Sequence, residues 1–177
     1  MAGKTVKTRL NPPHGWVYQA REATDVSGVT DAGMAALNLT TAQARQRFAG
    51  APVARLATVG AGGQPHLIPI TFAVDADLIY TAVDAKPKTT TNLRRLRNIR
   101  ADPRVAVLAD HYEADWDRLW WARAEGLASI LGAPADLAAP LELLAARYPQ
   151  YRVNPPAGPV IAITVDRWTG WAASGGG

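Results

Sequence analysis

Val53-Ala-Arg-Leu-Ala-Thr-Val59, Gly60-Ala-Gly-Gly63 and His66-Leu-Ile-Pro-Ile-Thr-Phe-Ala-Val74 follow one another almost without interruption, and they decide how the rest of the chain is read. The outer runs are apolar and partly β-branched, and the glycine-rich stretch between them turns easily, so together they predict a hairpin. The turn is not a dinucleotide loop. Pro65 stands where G-x-G-x-x-G needs its third glycine, and a strand follows where a helix is required. Asp75-Ala-Asp77 closes the second run and Leu78–Val83 returns, which extends the hairpin into a meander.

Upstream, a threonine cap at Thr40-Thr41 precedes Ala42, Ala44, Arg45 and Phe48, and Gly50 and Pro52 stop the helix. Downstream, Asn92–Arg100 predicts a short helix with Leu93, Leu96 and Ile99 on one stripe and arginines on the other, ended by Asp102-Pro103. Arg104–Asp110 reads as a strand. A long strand over Leu119–Leu131 follows the acidic loop Glu113–Asp117. Leu137–Tyr148 reads as a helix, then prolines 149, 155, 156 and 159 break the chain before a last strand, Val160–Val165, with Trp168 and Trp171 beyond it. About six strands, three short helices and no βαβ alternation predict a mainly β fold: an antiparallel barrel with peripheral helices. A barrel of this size fills its interior with side chains, so a ligand binds outside it or at a subunit boundary.

At 177 residues, 48% apolar and 19% charged, the chain fits one domain with a real core. Residues 1–39 show no sustained period and are expected to be a loosely ordered extension. The barrel domain is expected over residues 40–173, and residues 174–177 are expected to be a disordered tail. No apolar run reaches the length needed to cross a membrane. Lys4, Lys7 and Arg9 are followed by prolines instead of an apolar stretch, so a secretory signal is not expected. The absence of cysteine removes disulfides and thiolate chemistry and fits a reducing, cytoplasmic setting. His14, His66 and His111 are isolated from one another, and none of Ser27, Ser129 and Ser174 sits in a nucleophile elbow. This composition points to chemistry carried by a cofactor, with a small-molecule substrate.

The formal charge of +4 is unevenly spread. From residue 86 to 104, Lys86, Lys88, Arg94, Arg95, Arg97, Arg100 and Arg104 face a single acid, Asp102. Lys86-Pro-Lys-Thr-Thr-Thr91 follows a strand and leads into a helix, so ammonium groups, hydroxyls including that of Thr89, and a helix N-terminus converge where a phosphate would bind. A solvated basic loop with threonine caps is the plainer alternative. Arg55, between Ala54 and Leu56 in a run that otherwise reads as buried, either faces water or points into a ligand cleft. Trp116, Trp120 and Trp121 exceed what a barrel core needs, and they suit an aromatic wall or a dimer interface.

In their order, Ala54–Val59, Pro65–Phe72, Tyr80–Lys88, Leu96–Ile99, Asp102–Val105, Asp110-His-Tyr112, Trp120-Trp-Ala-Arg123 and Gly158–Trp171 resemble the pyridoxamine-phosphate-oxidase-like proteins. Within that group they are most similar to the branch that uses the deazaflavin coenzyme F420. The resemblance covers residues 40–173. It implies an FMN-binding type of split β-barrel, homodimeric, with two cofactor sites at the subunit interface. It places Arg55, Thr58, Thr71, Lys86, Lys88, Thr89, Arg94, Arg95, Trp121 and Arg123 around the cofactor, with either the lysines or Arg94 and Arg95 on its phosphate. The deazaflavin has an acidic oligoglutamate tail that a basic stripe can bind, whereas FMN has none, and this favours F420. The implied activity is hydride transfer to an activated alkene, quinone or tetrapyrrole, with no catalytic residue identified. The alternatives are an FMN-dependent oxidase or reductase on the same fold, or a non-catalytic protein that binds a flavin or deazaflavin. The arginine helix has no helix-turn-helix partner and no stacking signature, so nucleic acid is not expected to be a partner.

Overall fold

The computed structural model describes residues 38–83 and 93–174. Helix α1, Thr41–Gly50, starts with a capping box: the Thr40 hydroxyl accepts from the Gln43 backbone N–H, and the Gln43 side-chain oxygen accepts from the Thr40 N–H at 2.9 Å. Seven strands follow, β1 Ala54–Val59, β2 Pro65–Ile70, β3 Ala73–Asp75, β4 Leu78–Ala82, β5 Arg104–His111, β6 Trp120–Leu131 and β7 Val160–Ala172. Helix α2, Arg94–Ala101, precedes β5, and helices α3, Pro134–Arg147, and α4, Gln150–Val153, connect β6 to β7. All strand pairs are antiparallel, in the order β2-β1-β5-β6-β7-β4-β3. No helix among the described residues is long and apolar enough to cross a membrane.

Consecutive strands β2 and β3 lie at opposite edges of this sheet, so the chain steps from one edge to the other through Thr71 and Phe72. The single strand expected over His66–Val74 is therefore two. At the step, the Phe72 N–H donates to the Tyr148 hydroxyl (3.1 Å) instead of to a strand, and that hydroxyl donates to the Pro52 carbonyl at 3.0 Å. The Thr71 hydroxyl meets the Tyr151 hydroxyl at 2.7 Å. Two tyrosines from the α3–α4 region thus hold the seam. Leu144, Tyr151 and Val160 form a small satellite core there with Ala73 and Ala82.

The main core lies inside the barrel. Small residues on the inner face of β6, Ala122, Ala124, Gly126 and Ala128, leave room for Phe48 of α1, whose ring sits 4.9 Å from Phe72 and 5.2 Å edge-on to Trp168. Gly126 stands at the β6–β7 bulge, where a Cβ would come within 2.0 Å of the Thr164 carbonyl oxygen, so the close approach of the strands demands glycine. Strand β7 runs to Ala172, not Val165, because the bulge restores pairing and Trp168 and Trp171 continue the ladder against Ala124 and Trp121. Helix α3 begins at Pro134, three residues before the expected start, because proline at the first helical turn lacks only an N–H that has no partner there. Asn38 and Leu39 also join β7, through a bridge to Trp171 and an N–H bond to the Gly170 carbonyl at 2.9 Å.

Candidate cofactor site

Two regions of the surface gather the residues singled out in the sequence. The first is the seam. Val53, Pro69 and Thr71 on one side, Thr81 and Ala82 of β4 on the other, and Arg95 of α2 line a pocket of about 210 Å³. Thr81 is buried and Thr71 and Arg95 are half-buried, so the pocket offers hydroxyls and a guanidinium on an otherwise apolar wall. The stretch joining Ala82 to Arg95 in sequence carries Lys86, Lys88 and Thr89, which lie outside the described residues. Arg94 neighbours Arg95 in the first turn of α2 and is exposed.

Helix α2 is anchored by a buried polar contact. Asn98 donates its side-chain N–H to the Thr58 hydroxyl at 2.9 Å, with both residues nearly inaccessible. Thr58 faces the core side of β1 and its hydroxyl is engaged there. His66 of β2 lies beside this contact, its Nδ1 3.5 Å from the Thr58 oxygen. Burial, and then the positive charges of Arg94 and Arg95, push the His66 pKa below its ordinary value, so it is neutral at neutral pH.

The second region is the outer face of the sheet. Arg55 pairs in register with Leu108, and Leu108 with Arg123, which in turn pairs with Thr169, a row that crosses four strands. Arg55 points away from the core and forms an ion pair with Asp110, so its position mid-strand follows from the alternation of faces along β1. Arg123 lies over the Trp121 ring, 5.7 Å from its centroid, with its Nε 3.1 Å from Glu125. That approach is an ion pair without hydrogen-bond geometry. The buried Arg123 Nε and the buried Thr169 hydroxyl oxygen both lack hydrogen-bond partners. Such groups carry a desolvation penalty that a ligand or a second subunit relieves. Below this row, a groove of about 700 Å³ has an apolar floor of Ala57, Val59, Ala106 and Leu127, rimmed by Arg104 and Arg167. Among the described residues no group of three or more His, Asp or Glu side chains is placed to hold a metal.

The expected residues thus divide. Thr71 and Arg95 meet at the seam. Arg55, Trp121 and Arg123 share the outer face, and Thr58 points inward. Thr81, Asp110, Asn98 and Thr169 were not singled out in the sequence. Asp110 sits in the Asp110-His-Tyr112 motif, and its outward phase relative to Val107 and Ala109 is the signal that finds it.

Residues 40–172 match the pyridoxamine 5'-phosphate oxidase family. Among solved structures, a conserved protein of Mycobacterium tuberculosis is 25% identical, with 78% of this chain and 88% of that one aligned at a TM-score of 0.63. A FAD-binding protein of Mesorhizobium loti is 17% identical over 75% of this chain and 94% of its own, at 0.59. A 5a,11a-dehydrotetracycline/5a,11a-dehydrooxytetracycline reductase of Streptomyces rimosus is 36% identical over 56 residues, which span 32% of this chain and 38% of that enzyme. With the match running from the cap of α1 to the end of β7, and a split barrel beneath it, the chain belongs to the pyridoxamine 5'-phosphate oxidase family.

Proposed function

We propose that this protein is an oxidoreductase that binds a phosphate-bearing flavin-type cofactor, coenzyme F420, and serves hydride transfer to a small organic substrate such as an activated alkene, quinone or tetrapyrrole. The observation that carries this reading is the seam pocket. It sets the Arg95 guanidinium beside the Thr71 and Thr81 side chains, within a stretch where seven basic residues face one acid. These residues suit a phosphate: hydroxyls and guanidinium donate, and among the described residues the pocket's lining contains no carboxylate to repel it. The FAD-binding neighbour and the partial match to a reductase support the same class of chemistry.

When bound, the deazaflavin supplies the hydride. The chain's own residues bind and orient. Lys86, Lys88 and Thr89 hold the phosphate from the segment between β4 and α2, Arg95 and Thr71 complete it from the pocket wall, and the remaining arginines of α2 take the acidic tail. Asn98, tied to Thr58, keeps α2 and its arginines in place. Arg55, Trp121 and Arg123 meet the cofactor ring from the outer face, where a second copy of the chain completes the site. The groove floored by Ala57, Val59, Ala106 and Leu127 with a charged rim has the make-up of an interface core and its border, which favours a homodimer.

Titrating the purified protein with F420 and with FMN, followed by absorbance and fluorescence, tests the cofactor. F420 is expected to bind the more tightly, and tighter FMN binding would turn the assignment to an FMN enzyme. Light scattering tests the assembly, for which twice the chain mass is expected at micromolar concentration. A monomer would remove the shared site.

A further inference from the structure

Between the last turn of α1 and the turn joining β5 to β6 lies a cavity of about 340 Å³ that shares no lining residue with the seam pocket. Its volume is at the lower end of the range of small-molecule sites, about 300–1,000 Å³. Its lining includes Arg47, His111, Asp117, Arg118 and Trp120. Three features make it more than a gap between charged side chains.

The first is aromatic. His111 stacks on Trp120 with centroids 6.5 Å apart and planes within 18°, and the Arg47 guanidinium lies 5.8 Å from the same ring's centroid. A flat wall is therefore built and braced before any ligand arrives. The second is a fixed polar frame. The Glu113 carboxylate accepts from His111 Nε2 at 2.9 Å and meets Arg118 Nε at 3.1 Å, so one acid holds both basic groups in place. The His111 hydrogen bond, with the nearby positive charges, keeps the Glu113 pKa below its ordinary value, so it is ionised at neutral pH. The third is an unspent charge. Arg47 forms no ion pair among the described residues, although Asp117 shares the cavity with it, and Asp117 forms none either. A guanidinium and a carboxylate that flank one aromatic wall without meeting each other suit a ligand that satisfies both.

We infer that this cavity is a separate binding site for a planar organic carboxylate that also carries a hydrogen-bond donor. The carboxylate pairs with Arg47, the ring lies along Trp120, and the donor reaches Asp117. Arg118, already held by Glu113, borders the site and disfavours cations. The inference stands apart from the cofactor reading, because it uses none of the residues assigned to the flavin or its phosphate.

The 177-residue chain is titrated calorimetrically with 6-hydroxynaphthalene-2-carboxylate and with its carboxamide, which keeps the ring and the donor but lacks the charge. The carboxylate is expected to saturate one site per chain and to bind about tenfold more tightly than the amide, since a charge-assisted bond exceeds a neutral one by about a decade's worth of free energy. Arg47→Gln is expected to abolish that preference, and Arg47→Lys to keep part of it as a point charge. Arg45→Gln, at a position that pairs with Asp77 and does not line this cavity, should bind as the parent does. Equal binding of acid and amide, or full carboxylate binding in Arg47→Gln, overturns the site. Binding lost instead in Arg95→Gln places the probe at the seam and overturns it equally. Either failure leaves the F420 titration unaffected, so the two readings fail separately.

Discussion

The two faces of β6 and β7 are made from the same residues in alternation, yet they do opposite things. Inward, Ala122, Ala124, Gly126 and Ala128 are small and buried, and the space they leave is filled by Phe48, Phe72 and Trp168. Outward, Trp121, Arg123, Glu125 and Leu127 are large, and all but Leu127 are polar or aromatic and only half covered. The inner face has no room for a ligand, so its residues hold the fold. The outer face keeps a buried Nε and a buried hydroxyl without hydrogen-bond partners, which is costly unless another surface answers them. The difference separates stability from binding along single strands, residue by residue.

That separation predicts a graded series of effects. Phe48→Ala removes a fully buried ring that touches two other rings, and it is expected to cost about 3–5 kcal/mol of folding free energy. Urea denaturation reads it, and a loss near zero would mean that the interior is not the packed layer described. Replacing Lys86 and Lys88 together by alanine is expected to weaken F420 binding by about two to four orders of magnitude at low salt, from two charge-assisted bonds of roughly 1.5–3 kcal/mol each. The thermal midpoint of the free protein should hold. If binding survives there and falls in the Arg94/Arg95 double variant, the phosphate belongs to the arginines.

Arg123→Met tests the outer face most directly. It deletes a buried donor that lacks a hydrogen bond, gives up the half-exposed ion pair with Glu125 and keeps much of the side chain's length over Trp121, so the stability of the free chain is expected to change by no more than about 1 kcal/mol. Cofactor affinity should fall in the same variant. A clear drop in the thermal midpoint would make Arg123 a structural residue and erase the contrast between the faces.

The smallest effect is electrostatic. Hydrogen bonds from the Arg104 side chain and backbone hold the Asp102 pKa down to about 2, from an ordinary 3.8. A depressed carboxylate stabilises the folded state above its unfolded pKa, and the contribution fades as pH falls through the folded one. Asp102→Asn should therefore lower the thermal midpoint slightly at neutral pH. The gap from the parent should close between about pH 4 and pH 2. The pair is exposed, so a large neutral-pH loss would point to the turn after α2 and not to the charge.

The strands, the first helix with its cap and an antiparallel barrel were legible because alternation, turns and caps are local, whereas the split form of the barrel was implied only by the family resemblance. The break at Thr71-Phe72 was not, since Ile70, Thr71 and Phe72 carry strand-forming residues, and only Tyr148, far along the chain, ends the strand. The extension of β7 depends on a bulge set by the approach of Gly126 to Thr164, which no window of sequence shows. Within the site, the basic stretch announced itself by charge alone. Thr81 joined it only because β4 lies across the seam from β2, and Arg47 acquired meaning only beside Trp120. Thr58 reads as a polar residue in an apolar run, but its hydroxyl serves Asn98.

The placement of β2 and β3 at opposite edges of one sheet also sets the order in which the molecule can be assembled. Strand β1 finds its second neighbour only in β5, and β4 has no inner neighbour until β7 (Leu78 meets Thr164). Such non-local pairings are slow to form. A chain emerging from its N-terminus therefore holds β4 and β6 as bare, hydrogen-bonding edges until its last strand is made. In the finished barrel β4 and β6 are each paired on both sides, whereas in the growing chain they are not. Its exposure to misassembly is concentrated in that one interval and ends when β7 slots between β6 and β4.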